Sequence, residues 1–324
     1  MRPFLAALFT CLPALAAAET PVLTVMTYDS FASEWGPGPQ VEKAFEEVCG
    51  CDLRFITGGD GAAMLARLRL EGAASEADVL LGLDTNLTAD ARDTGLFAPH
   101  DQPAATGLPV AYRDEIFLPY DWSWFAFVYD KNRLASPPGD FAALAASDLK
   151  IVIQDPRSST PGLGLLMWVK AAFGAEAPQI WSGLADNILT VTPGWSEAYG
   201  LFLEGEADMV LSYTSSPAYH RLAEQDDSKE WASFSEGHYL QIELAAILAA
   251  SKQPGLAQDF LAFTRSPAFQ SVIPETNWMY PASEIALPEG FETRRPEKSL
   301  LLDENEARSL RQEALSEWQS ALAR

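Results

Sequence analysis

The chain has 324 residues, 48% hydrophobic and 21% charged, which marks a folded globular protein with room for one large domain or two smaller ones. Its 22 Pro and 21 Gly are spread along the sequence, so no tract reads as disordered. A formal net charge of −23 excludes nucleic acid or anionic lipid as partners held through the general field; it serves solubility and also suits a small cationic ligand.

Residues 1–18, MRPFLAALFTCLPALAAA, read as a secretory signal. Arg2 is the positive end, Phe4–Leu15 the apolar segment and Ala16-Ala17-Ala18 the cleavage site. The apolar segment is too short for an anchor, and Phe and Thr before Cys11 make a poor lipoprotein signal. A soluble exported protein is expected. Removal of the signal leaves Cys49 and Cys51 as the remaining cysteines. Export makes a disulfide between them plausible, with Gly50 supplying flexibility; two free thiols at a helix end is the alternative. His100, His220 and His238 have no metal-like spacing, and two Cys do not make a zinc site.

The first half alternates β and α. Val22–Thr27 is a strand, followed by Tyr28 at its carboxyl end. Pro39 suits the first position of a helix with Val41, Phe45 and Val48 on one side. Leu53–Thr57 is the second strand. Asp60-Gly61 starts the next helix, whose buried side is Met64, Leu65, Leu68 and Leu70. Ala77–Leu83 is apolar throughout, as in a strand covered on both faces, and Asp84-Thr-Asn opens another helix. Strand–helix–strand–helix–strand predicts a parallel, doubly wound sheet.

Phe117–Asp130 is dense in aromatics and reads as an extended strand that leaves a first lobe for a second. Leu149–Gln154 is a strand leading into Ser159-Thr160-Pro161, where a hydroxyl can cap a helix over Leu163–Phe173. Such a helix start is either a plain cap or an anion site. Thr192-Pro-Gly-Trp195 runs into a helix that Ser196 or Thr192 can cap, with Tyr199, Phe202 and Leu203 on its apolar side. Met209–Tyr213 is a buried strand ending in Thr214-Ser215-Ser216-Pro217-Ala-Tyr219. Tyr239–Ala249 is strand-like and carries the chain back toward the first lobe; Leu256–Thr264 resembles a helix. A last helix from about Glu304 keeps Leu310, Leu315, Trp318 and Leu322 at helical spacing, with Trp318 a core residue.

No catalytic signature stands out: the sequence lacks Gly-x-Ser-x-Gly, a phosphate loop and a metal cluster, so no catalytic residue and no bound metal are expected. What recurs is aromatic residues on turns: Tyr28, Trp35, Trp195, Tyr213, Tyr219 and Trp278. These suit a flat, π-rich or cationic ligand through contacts of about 0.5–2 kcal/mol each, with Asp60 as a complement to positive charge. Taken singly, each reads equally as a core aromatic near a loop.

The segments TYDSFASEWGPGP, ADVLLGLD, WFAFVYDKN, QDPRSSTPGLGLL, GWSEAYGLFL, SYTSSPAYH, FSEGHYLQ and NWMYP together resemble the periplasmic thiamine-binding proteins of bacterial ABC uptake systems. The resemblance covers nearly the whole chain beyond residue 18. It implies an α/β, two-lobed type II solute-binding fold, each lobe a mainly parallel sheet flanked by helices, with the ligand cleft between the lobes. The implied division is residues 19–120 with about 245–324 in the first lobe and about 121–244 in the second, joined by hinge strands near 117–130 and 238–248. It further implies thiamine, its monophosphate or its diphosphate as transported ligand, no cofactor, a membrane permease and an ATPase as partners, a monomer, and a periplasmic location.

Carried over residue by residue, the ligand site is Asp60, Gly61, Ser159, Thr160, Trp195, Tyr213, Thr214, Ser215, Ser216, Pro217 and Tyr219, with Tyr28, Trp35 and Trp278. By analogy Tyr219 stacks on the pyrimidine, while Trp195, the Gly61 amide and the Ser159-Thr160 helix start hold the phosphate or hydroxyethyl end. Gly58-Gly59 departs from the family pattern and bears on the pose of the Asp60 loop. The rival expectations are a thiamine-cleaving enzyme of the same fold, which uses a Cys nucleophile, and a binder of another flat cation, a polyamine or ferric ion. A sensor or adhesion module is a further class. Iron capture of this kind typically uses paired tyrosines, and SYTSS has one; polyamine sites want more loop acids than are present here.

Overall fold

The computed structural model describes residues 20–291 and 294–323. The expected signal segment, 1–18, lies outside the described residues. The first three strands, β1 (Val22–Thr27), β2 (Asp52–Thr57) and β3 (Val79–Asp84), are parallel, with β1 in the middle. Between them run α1 (Asp29–Ala32), α2 (Gly38–Cys49) and α3 (Gly61–Glu71). Two expected inner positions turn outward. On α2 the buried row runs Val41, Phe45 and on to half-buried Cys49, an i+4 series, which leaves Val48 72% exposed. On α3, Leu70 sits about 200° round the helix from Leu68 and is 89% exposed. Cys49 and Cys51 are joined as a disulfide around Gly50, whose φ is +62°.

After α4 (Thr88–Asp93) and the short β4 (Phe97–Ala98) comes β5 (Leu118–Asp130), thirteen residues long and buried along almost its whole length. The second half contains α5 (Phe141–Ala145), β6 (Ile151–Gln154), α6 (Thr160–Phe173), α7 (Ala177–Leu184), β7 (Ile188–Thr192), α8 (Trp195–Leu203) and β8 (Met209–Tyr213). Strand β6 lies parallel between β7 and β8. On α8, Tyr199 and Phe202 face inward as expected, whereas Leu203, at the last helical position, is 47% exposed. Then follow α9 (Pro217–Ala223), β9 (Lys229–Trp231) and β10 (His238–Leu248), which is buried along its whole length.

Among the described residues the main sheet order is β2-β1-β3-β10-β5-β8-β6-β7. Each half is parallel at its outside, and the centre is antiparallel: β10 pairs antiparallel with both β3 and β5, and β5 with β8. The two long strands serve both halves. Residues 118–124 of β5 pair with β10 and 125–129 with β8; Glu243–Ile247 of β10 pair with β3. The carboxyl ends of β1 and β2 on one side, and of β6, β7 and β8 on the other, feed the loops that face each other, the usual position for ligand in an open α/β sheet.

The chain ends with α10 (Pro254–Phe263), α11 (Pro267–Gln270), β11 (Tyr280–Pro281), β12 (Ser299–Leu300) and α12 (Glu304–Leu322). Asp303 and Glu306 form a capping box at the start of α12. This helix lies across both halves of the molecule. It packs on α4 and the turn 85–87 of the first half and on α6 and α7 of the second. Arg308 pairs with Asp93 and Arg311 with Asp90 at one end; at the other, Glu313 and Glu317 both accept from buried Lys170 of α6 at 2.7 Å. Trp318 is buried, 5% exposed.

Candidate ligand-binding cleft

The loops at the facing strand ends enclose a cavity of about 490 Å³. Tyr28, Trp35, Asp60, Thr160, Trp195, Tyr213, Ser216, Tyr219 and Trp278 line it. Gly61, Ser159, Thr214, Ser215 and Pro217 do not; they stand behind the lining and hold it in place. Thr214 and Ser215 are fully buried, with their hydroxyls against Ser123 Oγ at 3.3 and 2.9 Å. Those bonds fix the turn after β8 against β5, so their role is to shape the floor.

Tyr28 leaves the end of β1 and lays its ring against Gly82 of β3. A Cβ at Gly82 would fall 2.4 Å from Tyr28 Cδ1, and φ there is +111°, so glycine is needed on both counts. The opposite wall is aromatic. Trp195 stacks on Tyr199 with centroids 4.8 Å apart and an interplanar angle of 25°. Its indole N–H donates to Ser212 Oγ at 2.8 Å, and Ser212 Oγ lies 2.7 Å from Ser216 Oγ. Neither Thr192 nor Ser196 caps α8; the N-cap is Gly194, and the Thr192 hydroxyl donates to the Gly194 carbonyl.

Tyr219 and Trp278 close the mouth edge to face, centroids 5.4 Å apart at 67°. The Tyr219 hydroxyl donates to Glu224. Trp278 sits in the left-handed region at φ +57°, a strained place for a bulky residue, and this aims the indole at Tyr219. Trp35 is 57% exposed at the rim.

The two halves touch at the start of α3 and α6. The Ser159 hydroxyl donates to Asp60 Oδ2 at 2.7 Å, the Gly61 N–H donates to Thr160 Oγ1 at 3.2 Å, and the Ala63 N–H donates to the Ser158 carbonyl at 3.3 Å. The hydroxyl expected to cap α6 therefore reaches across to the other half: Ser159 is the N-cap residue, with no side-chain bond to its own helix. The Asp60 carboxylate sits at the positive end of a fourteen-residue helix, the kind of place an anion takes. Burial nonetheless pushes its pKa up to about 6, against the Ser159 hydrogen bond.

Glu243, Asn277 and Tyr199 also line the cavity, although none is among the residues expected at the ligand site. Glu243 had a signal. It is an acid in the middle of the apolar run YLQIELAAIL, and a carboxyl in a buried strand must have partners. His220 shows what linear spacing hides: its Nδ1 is 2.6 Å from Glu224 Oε2 and close to Asp226. Its other nitrogen faces the Tyr199 hydroxyl at 2.9 Å, and Asp226 is held by Lys229, so these groups serve one another.

Known proteins of three kinds, a family, curated relatives and solved structures, are similar to this chain. The family described as bacterial extracellular solute-binding protein matches residues 37–271. The thiamine-binding periplasmic protein of Escherichia coli (strain K12) is 54% identical over 323 residues, covering 97% of this chain and 99% of that one. That of Brucella suis biovar 1 is 50% identical over 319 residues, covering 96% and 95%. A solved structure of a periplasmic thiamin binding protein has a TM-score of 0.93 at 53% identity, covering 95% of this chain and 98% of that one. Iron-bound HitA from Pseudomonas aeruginosa has a TM-score of 0.76 at 21% identity, covering 93% and 99%, which speaks for the fold alone.

Proposed function

The chain belongs to the bacterial extracellular solute-binding proteins, and on that premise we propose that it captures thiamine, or its mono- or diphosphate, in the periplasm for an ABC uptake system. The observation that carries the reading is the chemistry of the cleft. Its walls are aromatic, and among the described residues its charged lining groups are the carboxyls Asp60 and Glu243, with no Lys, Arg or His. Flat rings bearing a positive charge are what such a lining recognises. Thiamine has two flat rings, one of them cationic.

In this reading the lobes are residues 19–120 with about 245–324, and about 121–244. Strands β5 and β10 are the hinge, and α12 lies against both lobes. Tyr219 and Trp278 cover the pyrimidine, and Trp195 stands at the other end. The α6 start already holds the Asp60 carboxylate, so a phosphate tail must share or displace it. Unphosphorylated thiamine meets no such competition. The permease and ATPase receive the loaded protein, a monomer from which residues 1–18 have been removed. The relatives are named as binding proteins, and the reading involves capture without cleavage.

The test is calorimetric titration of refolded, ligand-stripped protein with thiamine and its two phosphates. Sub-micromolar binding of at least one is expected, weakened at least tenfold by Trp195→Ala and by Tyr219→Ala, about the value of one good aromatic contact. No heat and no thermal shift with all three would refute the reading.

A further inference from the structure

Glu243, one of the two carboxyls that line the cavity, has a second acid directly beside it in the sheet. Glu243 of β10 and Asp121 of β5 are register partners on adjacent antiparallel strands, 5% and 0% exposed. The Tyr28 and Tyr120 hydroxyls both donate to Glu243 Oε2, at 2.9 and 2.8 Å. Asn277 Nδ2 donates to Asp121 Oδ2 at 2.7 Å. Asp121 Oδ1 is buried and has no hydrogen-bond partner among the described residues. Glu243 reaches the cavity wall; Asp121 stands behind it.

The groups that face Glu243 are acids, phenols and an amide. Tyr28 comes from the end of β1, Asp84 from β3, where it is the register partner of Glu243 on the other side, and Tyr120 with Asp121 from β5. Tyr213 comes from β8, Asp60 from the start of α3, and Asn277 from the turn before Trp278. Arg311 of α12 acts on Asp84 in this row. Two adjoining buried carboxyls without a cation cannot both ionise. Burial pushes both upward, so near neutral pH the pair keeps a proton.

We infer that Glu243, backed by Asp121, determines specificity for a cationic ring, and that such a ring enters the cleft in exchange for the proton the pair holds. One positive charge arrives with the ligand and one leaves to solvent, so the buried charge is unchanged. A neutral ring of the same shape offers no exchange and leaves the proton in place. The inference rests on the thiamine reading, and its test separates the two.

Full-length mature protein is titrated at pH 7 in phosphate and in Tris, buffers of different ionisation enthalpy, so that the heat difference counts protons. The ligands are thiamine and its neutral thiophene isostere, in which carbon replaces the charged ring nitrogen. Thiamine is expected to release close to one proton more than the isostere and to bind at least tenfold more tightly. In Glu243→Gln that extra proton and that preference are expected to vanish. Asp121→Asn, which keeps Glu243 but removes the like charge behind it, is expected to release clearly less than one extra proton while still binding thiamine. Equal proton counts for the two ligands in the unaltered protein, or an extra proton that survives Glu243→Gln, would overturn the inference and leave the thiamine reading standing. Absence of thiamine binding to the unaltered protein would instead remove the thiamine reading, and this inference with it.

Discussion

Replacing Gly61 by Ala probes whether ligand is held with α3 against α6. A Cβ at Gly61 would lie 2.8 Å from Thr160 Oγ1 and 3.0 Å from the Gly82 carbonyl, where ordinary contact begins at 3.4 Å. Thr160 is buried, and its hydroxyl is the acceptor of the Gly61 N–H, so it cannot swing aside without losing that bond. One overpacked methyl costs about 1–3 kcal/mol and the lost hydrogen bond about 1 kcal/mol. The total, about 2–4 kcal/mol on the closed state, is a fall in affinity of roughly 30- to 1,000-fold. Separation of the two halves relieves the contact with Thr160, while that with the Gly82 carbonyl, in the same half, remains; Ala is also the better helix former, so the ligand-free melting temperature is expected to fall by a few degrees at most. Titration calorimetry with thiamine and a thermal melt without it measure the two arms. Binding within threefold of the unaltered protein would refute closure through this contact.

Three further outcomes follow from other parts of the molecule. His238 is fully buried; its Nδ1–H donates to the Phe125 carbonyl at 2.8 Å and its Nε2 accepts the Phe234 N–H at 3.0 Å, so protonation breaks the second bond. Burial pushes its pKa down to about 4; the unfolded chain takes up the proton near 6.5, so this residue's share of stability is lost as pH falls from about 6.5 to about 4. Its imidazole resonances should stay in the neutral position down to pH 5 in an NMR titration. Lys170→Met leaves Glu317, its side chain 13% exposed, without its cation and should cost about 2–4 kcal/mol in urea unfolding, largely restored by adding Glu317→Leu; an unchanged midpoint for Lys170→Met would show that apolar contacts alone hold α12. Replacing Cys49 and Cys51 by Ser opens a very small ring, worth about 1.5 kcal/mol in chain entropy, at the strand ends away from the cleft, so thiamine affinity should be unaffected and the melting temperature should fall by a few degrees.

Many of the longer elements are legible in the chain's own pattern, whereas α5, α7, β7 and α9 are not among those read from it. Mostly apolar runs of five or six residues between turn signals locate β1 over Val22–Thr27 and β8 over Met209–Tyr213, because a strand covered on both faces favours apolar side chains along most of its length. Pro and Gly at helix starts mark α2 and α6 because they act within a few residues of themselves. The aromatic turns that meet at the cleft are legible for the same local reason. Tertiary structure decided what each polar group does. Ser159 reads as a cap for its own helix, but Asp60, ninety-nine residues away in sequence, takes its hydroxyl. Nothing local distinguishes α12 as the helix that lies on both halves, since its partners Asp90, Asp93 and Lys170 belong to different parts of the chain. Glu243 and Asp121 become a pair only through the register of β10 on β5, with a bulge just beyond Glu243. Periodicity is a property of neighbours along the chain, whereas register is settled by packing across it, and the charge chemistry of this cleft depends on register.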